Sequence, residues 1–179
     1  MNMFSTRLFT FAATSLFAAT ASAVDWESAR RNPAEITVLN CQAVPLTVGE
    51  GKGQYLKVPA KLDGATIFVE SEGKKVGNTA DFTVVKEGWI FVIANYGYEG
   101  NSSGDWDDKR WTEAQFKKNG WEELSSKQMG GPLVNKGNNE PKVFAKRVRP
   151  KDSMRLVVNK YGAPHIVVFP APSTAPKKP

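Results

Sequence analysis

Sulfur and imidazole are scarce in this chain, which holds one cysteine, Cys41, and one histidine, His165. A single thiol excludes an intramolecular disulfide even in an oxidising compartment. One thiol and one imidazole also fall short of a zinc site built from cysteine and histidine. His165 lies in the run PHIVVF, where a lone histidine on a strand reads as structural, so nucleophilic catalysis by a Ser-His-Asp or Cys-His arrangement is not expected. The chain has no G-x-S-x-G elbow, no H-E-x-x-H, no phosphate-binding loop and no glycine-rich dinucleotide turn. Long apolar runs are missing too. The run over residues 8–19 is about a dozen residues, short of the ~20 that a membrane-spanning helix needs.

What is present begins with an export signal. Arg7 precedes that apolar run, and Ala21-Ser22-Ala23 supplies the small-residue pattern of a cleavage site, which predicts a signal peptide over 1–23 and a secreted or periplasmic protein. Cys41 lies too far beyond Ala23 to serve as a lipid-anchored first residue, and reads as a small buried apolar side chain on a strand. Residues 24–35 read as an N-terminal arm or short helix ended by Pro33, and 36–169 as one domain. The Pro-, Ala- and Lys-rich stretch 170–179 reads as a disordered tail.

Short strand signals follow one another at 36–39, 46–48, 55–58, 65–70, 81–85, 89–94, 121–124, 142–148, 154–158 and 165–169, the first four each bounded by Gly, Pro, Asn or Asp. Lys86-Glu87-Gly88 suggests a bulged hairpin between the fifth and sixth of them. The sixth is apolar on both parities: Trp89, Phe91 and Ile93 face one way, and Ile90, Val92 and Ala94 the other, so both its faces should be covered. One cover is the opposite sheet and the other is assigned to the excursion that follows. The predicted fold is an all-β antiparallel β-sandwich of jelly-roll type with one short helix in a long loop, a closed β-barrel being the alternative.

That long loop, running to Trp121, carries the functional expectation. Thr112-x-x-Gln115 has capping-box spacing, with Phe116 on the packing side, Lys117 and Lys118 toward water and Asn119-Gly120 to close the helix. Before it, Tyr96, Tyr98, Trp106 and Trp111 are interleaved with Asn95, Asn101, Asp105, Asp107 and Asp108. Flat aromatic rings stack on the C–H faces of sugars while amides and carboxylates bond their hydroxyls. The expected ligand set is therefore Tyr96, Tyr98, Asn101, Trp106, Asp107 and Trp111, and the expected ligand a carbohydrate. The competing reading packs the same aromatics as a lid, in a structural or protein-interaction domain with another extracytoplasmic protein as partner.

Asp105, Asp107 and Asp108 are the candidate calcium ligands, although D-W-D-D lacks the downstream glutamate of a complete calcium loop. The same acids could form a glycosidase pair. The formal charge is +6, and Lys146, Arg147, Arg149 and Arg155 offer a basic face for an anionic polymer, a solvated strand face being the alternative.

In export signal, strand-and-turn pattern and single aromatic excursion, the region 36–169 resembles the galactose-binding-like and related jelly-roll modules of secreted bacterial proteins. The phrases KEGWIFVIANY and NGWEEL look like parts of such secreted proteins. The resemblance implies a non-catalytic binding module and carries no assigned residue.

Overall fold

The computed structural model describes residues 24–74, 79–94, 113–157 and 165–171. Its strands are β1 (Glu35–Val38), β2 (Cys41–Pro45), β3 (Thr47–Val48), β4 (Gln54–Tyr55), β5 (Thr66–Glu70), β6 (Thr79–Lys86), β7 (Gly88–Ala94), β8 (Glu122–Leu124), β9 (Lys142–Val148), β10 (Ser153–Val157) and β11 (His165–Val168). Among the described residues three short α-helices accompany them, α1 (Trp26–Arg31), α2 (Glu113–Lys118) and α3 (Ser126–Met129), with a single 3-10 turn at Ala60–Leu62.

Six strands form one antiparallel sheet in the order β2-β5-β11-β7-β9-β8, and three form a second, β1-β6-β10. The fold is the expected antiparallel β-sandwich, and among the described residues neither sheet closes into a barrel. A small parallel pair, β3-β4, lies outside both.

Every residue of β7 is buried, and its two parities enter two different cores. Ile90, Val92 and Ala94 join Ile36, Val38, Phe82 and Val84 of the three-stranded sheet, together with Phe116, Trp121 and Phe144. Trp89, Phe91 and Ile93 face Ala29 of α1, Leu46, Tyr55, Leu62, Met129 and Leu133. The second face is thus covered by α1, α3 and the irregular segments between strands. The described end of the excursion, α2, packs on the other face, where Phe116 stacks on Phe144 at 4.2 Å between ring centroids. The excursion as cover for the second face is corrected to that extent.

The N-terminal arm is a docked helix. Asp25 caps α1 by accepting the Ser28 N–H at 2.9 Å, and Trp26 stacks on Phe91 at 5.2 Å. The Arg30 guanidinium donates to the carbonyls of Lys61 and Asp63 at 2.9 Å each and lies 4.5 Å over the Phe169 ring. One cation therefore ties the arm to both the 60–63 turn and the end of β11.

The bulged hairpin at 86–88 is not formed. β6 and β7 belong to different sheets, and the chain crosses between the layers at Glu87. Gly88 is needed for another reason: a Cβ there would come within 2.3 Å of the Ala34 nitrogen and 2.8 Å of the Pro33 carbonyl carbon. The crossing lies directly against the arm's exit, where no side chain fits. One strand also went unread, β2, which carries a proline at its end, and the strand expected over 55–58 is the two-residue β4, Gln54–Tyr55. The helix α3 has a Ser125–Gln128 capping box, a spacing present in the sequence but not singled out there.

Gly88→Ala is expected to destabilise the fold by about 3 kcal/mol, the upper range for over-packing against backbone that cannot rotate away. Urea unfolding followed by tryptophan fluorescence measures it, and an unchanged midpoint would contradict the close-approach argument.

Candidate functional site

One end of the six-stranded sheet collects the long connections. Cys41 pairs with Glu70, His165 with Ile93, Ala94 with Lys142 and Leu124 with Val143, which sets the start of β2, β9 and β11 beside the end of β5, β7 and β8. From this end the chain leaves through 71–78, 95–112 and, on the return to β11, 158–164. Loops gathered at one end of a sandwich and positioned by buried strands are a common way to build a recognition surface.

The residues picked from sequence, Tyr96, Tyr98, Asn101, Trp106, Asp107 and Trp111, lie outside the described residues, as do the calcium candidates Asp105, Asp107 and Asp108. The structure does describe both roots of their segment. Ala94 ends the fully buried β7. At the other root, α2 is held from below by Phe116 and from the side by a ring of charges. Lys117 bridges Glu113 and Glu123, the latter at 3.0 Å, while Lys142 contacts Glu123 and lies 3.7 Å from Glu113.

Lys142 therefore pairs with Ala94 through the β-ladder and reaches Glu113 with its side chain, so entry and exit of 95–112 converge on one residue. Burial alone would push the Glu123 carboxyl pKa up. The Lys142 and Lys117 ammoniums that hydrogen-bond it prevail and hold it below the ordinary carboxylate value. The ring is thus charged at neutral pH, and its contribution fades as acid protonates Glu123.

Within the same end lies a cleft of about 400 Å³ whose floor is Tyr55 and His165. The Tyr55 hydroxyl is 2.8 Å from His165 Nδ1, and the two rings meet edge to face at 6.3 Å. Burial pushes the phenol pKa up and the imidazole pKa below its ordinary 6.5, so both rings are neutral at pH 7. Either the phenol donates to Nδ1 and the imidazole proton sits on Nε2, or Nδ1–H donates to the phenol oxygen; in both tautomers Nε2 is left for another partner.

The cleft walls come from two glycine-bearing turns, 49–53 and 135–139. Gln54 Oε1 accepts the Gly51 N–H, and Asn135 Oδ1 accepts the N–H groups of Gly137 and Asn139 at 3.0 Å each. Gly53 takes φ 74° against Ile67 and Val44, a left-handed position with no room for a Cβ. These amides shape the walls. Lys52 and Lys136 line the cleft from the same two turns and are exposed, and Glu70 lines it from the end of β5.

Sequence reasoning treated His165 as structural and Tyr55 as a strand residue. Its hydrogen bond to Tyr55 supports the structural role of His165, while its place on the floor of a cleft adds a second one.

A larger hollow of about 630 Å³ lies over the outer face of the three-stranded sheet. Thr37, Thr83 and Ser153 form one cross-strand row there. The Arg155 guanidinium is bound side-on by Asp81, with Nε–Oδ1 at 2.8 Å and Nη2–Oδ2 at 2.9 Å.

The basic face expected of the late strands is largely paired. Lys146 donates to the Asn119 carbonyl at 2.8 Å and lies 5.9 Å over Trp121, and Arg147 meets Glu87 at 3.5 Å. Arg149 is exposed at the turn into β10, where its backbone N–H donates to Asp152. Cys41 sits on the edge strand β2, half-buried, its thiol pKa raised by burial and by Glu70, which keeps it protonated and poorly nucleophilic.

Among the described residues no group of three or more His, Cys, Asp or Glu is placed to hold a metal ion, and no helix is long and apolar enough to cross a membrane. The chain matches no protein-family model, no curated protein and no solved structure.

Because the folded His165 holds its proton less tightly than an unfolded histidine, the unfolded chain gains a proton first as pH falls below 6.5. Stability is therefore expected to decline from about pH 6.5 downward, before most carboxylates titrate. His165→Gln, which keeps an acceptor for Tyr55, should flatten that slope. Urea midpoints at about pH 7.5, 6 and 5 measure it, and identical slopes in both proteins would contradict a neutral buried imidazole.

Proposed function

We propose that this chain is an exported, non-catalytic binding module whose ligand is a carbohydrate, taken up at the loop-bearing end of the six-stranded sheet by the aromatic, Asn and Asp side chains of 95–112. The observation that carries the reading is the double anchoring of that segment. Its entry is a strand buried on both faces and its exit a helix pinned by Phe116, with both meeting at Lys142. A segment this rich in rings and amides, rooted so firmly, can present its side chains without loosening the sheets beneath it.

The non-catalytic reading draws on the state of His165, whose Nδ1 is engaged by Tyr55 and whose burial opposes protonation, a poor arrangement for a general base. The resemblance to galactose-binding-like modules points the same way. Calcium at Asp105, Asp107 and Asp108 belongs to this proposal as an auxiliary of the loop.

A second reading, a structural or protein-interaction domain of the envelope or exterior, is favoured by one observation. Trp121, the excursion's only indole among the described residues, is 3% exposed and packs edge to face on Phe116. Trp106→Ala separates the two. Glycan titration followed by tryptophan fluorescence should show binding weakened by about tenfold or more with the urea midpoint unchanged. A fall in the midpoint of about 3 kcal/mol, the cost of emptying a core indole site, would favour packing instead.

A further inference from the structure

We propose that the cleft over Tyr55 and His165 is a subsite for a carboxylate-bearing sugar, in which the ammoniums of Lys52 and Lys136 face the carboxylate. This rests on the carbohydrate reading above and narrows it to acidic saccharides.

Position comes first. His165 pairs with Ile93, one residue before Ala94, so the cleft adjoins the root from which 95–112 departs. A hollow of about 400 Å³ is of the size that holds small ligands. Its floor is the neutral, half-buried His165 imidazole, held in place by the buried Tyr55 ring, with Nε2 left to meet a sugar hydroxyl.

Charge decides the class. The amides of Gln54 and Asn135 are spent on shaping their own turns. The one carboxylate of the wall, Glu70, lies beside Cys41 on the edge strand, where its charge helps raise the thiol pKa. Lys52 and Lys136, in contrast, have no ion-pair partner among the described residues, while five other basic side chains, Arg31, Lys117, Lys142, Arg147 and Arg155, each have one. Two ammoniums on opposite turns of one cleft, against the single carboxylate of Glu70, leave a net positive mouth over a neutral floor. A net charge of +6 on the whole chain draws an anion toward it. A neutral sugar would leave the excess positive charge of the mouth unmatched, and a charge-assisted hydrogen bond contributes roughly twice a neutral one.

The single histidine makes the test direct, because the imidazole signals in a long-range proton–nitrogen spectrum belong to His165 alone. The protein is titrated with galacturonate, galactose and inorganic phosphate, with tryptophan fluorescence recorded in parallel. Galacturonate is expected to shift the His165 signals, with galactose at least about tenfold weaker and the Lys52→Gln/Lys136→Gln variant losing the response with its urea midpoint unchanged. Equal responses to galacturonate and galactose would overturn the acidic class and leave sugar binding standing. A tryptophan response with unmoved His165 signals would overturn the cleft and leave the loop site standing. Phosphate matching or exceeding galacturonate would overturn the sugar carboxylate in favour of a free oxyanion. A double variant that keeps its response would overturn the role of the lysines.

Discussion

The structure depends on one strand with no exposed side. Across Gly88–Ala94 both parities are apolar, and a strand that buries both faces stabilises the fold only if two separate covers exist. The three-stranded sheet with Phe116 provides one, and the N-terminal helix with the 46–62 and 124–134 segments provides the other. From this follow the layer arrangement, the crossing at Glu87 and the tight approach of Gly88 to Pro33 and Ala34. A strand held from both sides cannot tilt, so whatever is attached to its end starts from a fixed place.

That fixed place is where the molecule gathers its long connections. Lys142 joins Ala94 by backbone and Glu113 by side chain, closing the 95–112 segment at its neck. Beside the neck, Tyr55 and His165 seal the floor of a cleft with a hydrogen bond between two neutral rings. Rigid support and concentrated polar groups occur together at this end, whereas the hollow on the three-stranded sheet is floored by exposed hydroxyls and a self-satisfied Arg155–Asp81 pair.

Much of the scaffold is written locally. The alternation that assigns Trp89, Phe91 and Ile93 to one core and Ile90, Val92 and Ala94 to the other is visible in six consecutive letters. The helix after the excursion follows from Phe116, the lysines after it and Asn119-Gly120, with Gly120 at φ 77°. The bounds of β9 match residue for residue. What escaped depends on distant partners. Gly88 looks like a turn glycine, yet its reason lies at Ala34. Tyr55 and His165 are separated by 110 positions, so no local pattern joins them into a cleft floor. The basic residues of β9 and β10 read as a cationic face because their counter-charges, Glu87 and Asp81, are brought alongside only by the crossing and by strand pairing.

Among the described residues the six-stranded sheet has two open margins, β2 and β8, and each limits how another strand could add to it. On one side β2 ends in Pro45, which has no amide hydrogen to offer a newcomer, and on the other β8 is three residues long with Glu122 and Glu123 among them. A stray chain seeking to extend the array meets a missing donor at one border and, at the other, a strand of only three residues whose Glu123 is already held by Lys117 and Lys142. Among the described residues no seventh strand joins either border, and the interior strand stays covered on both faces.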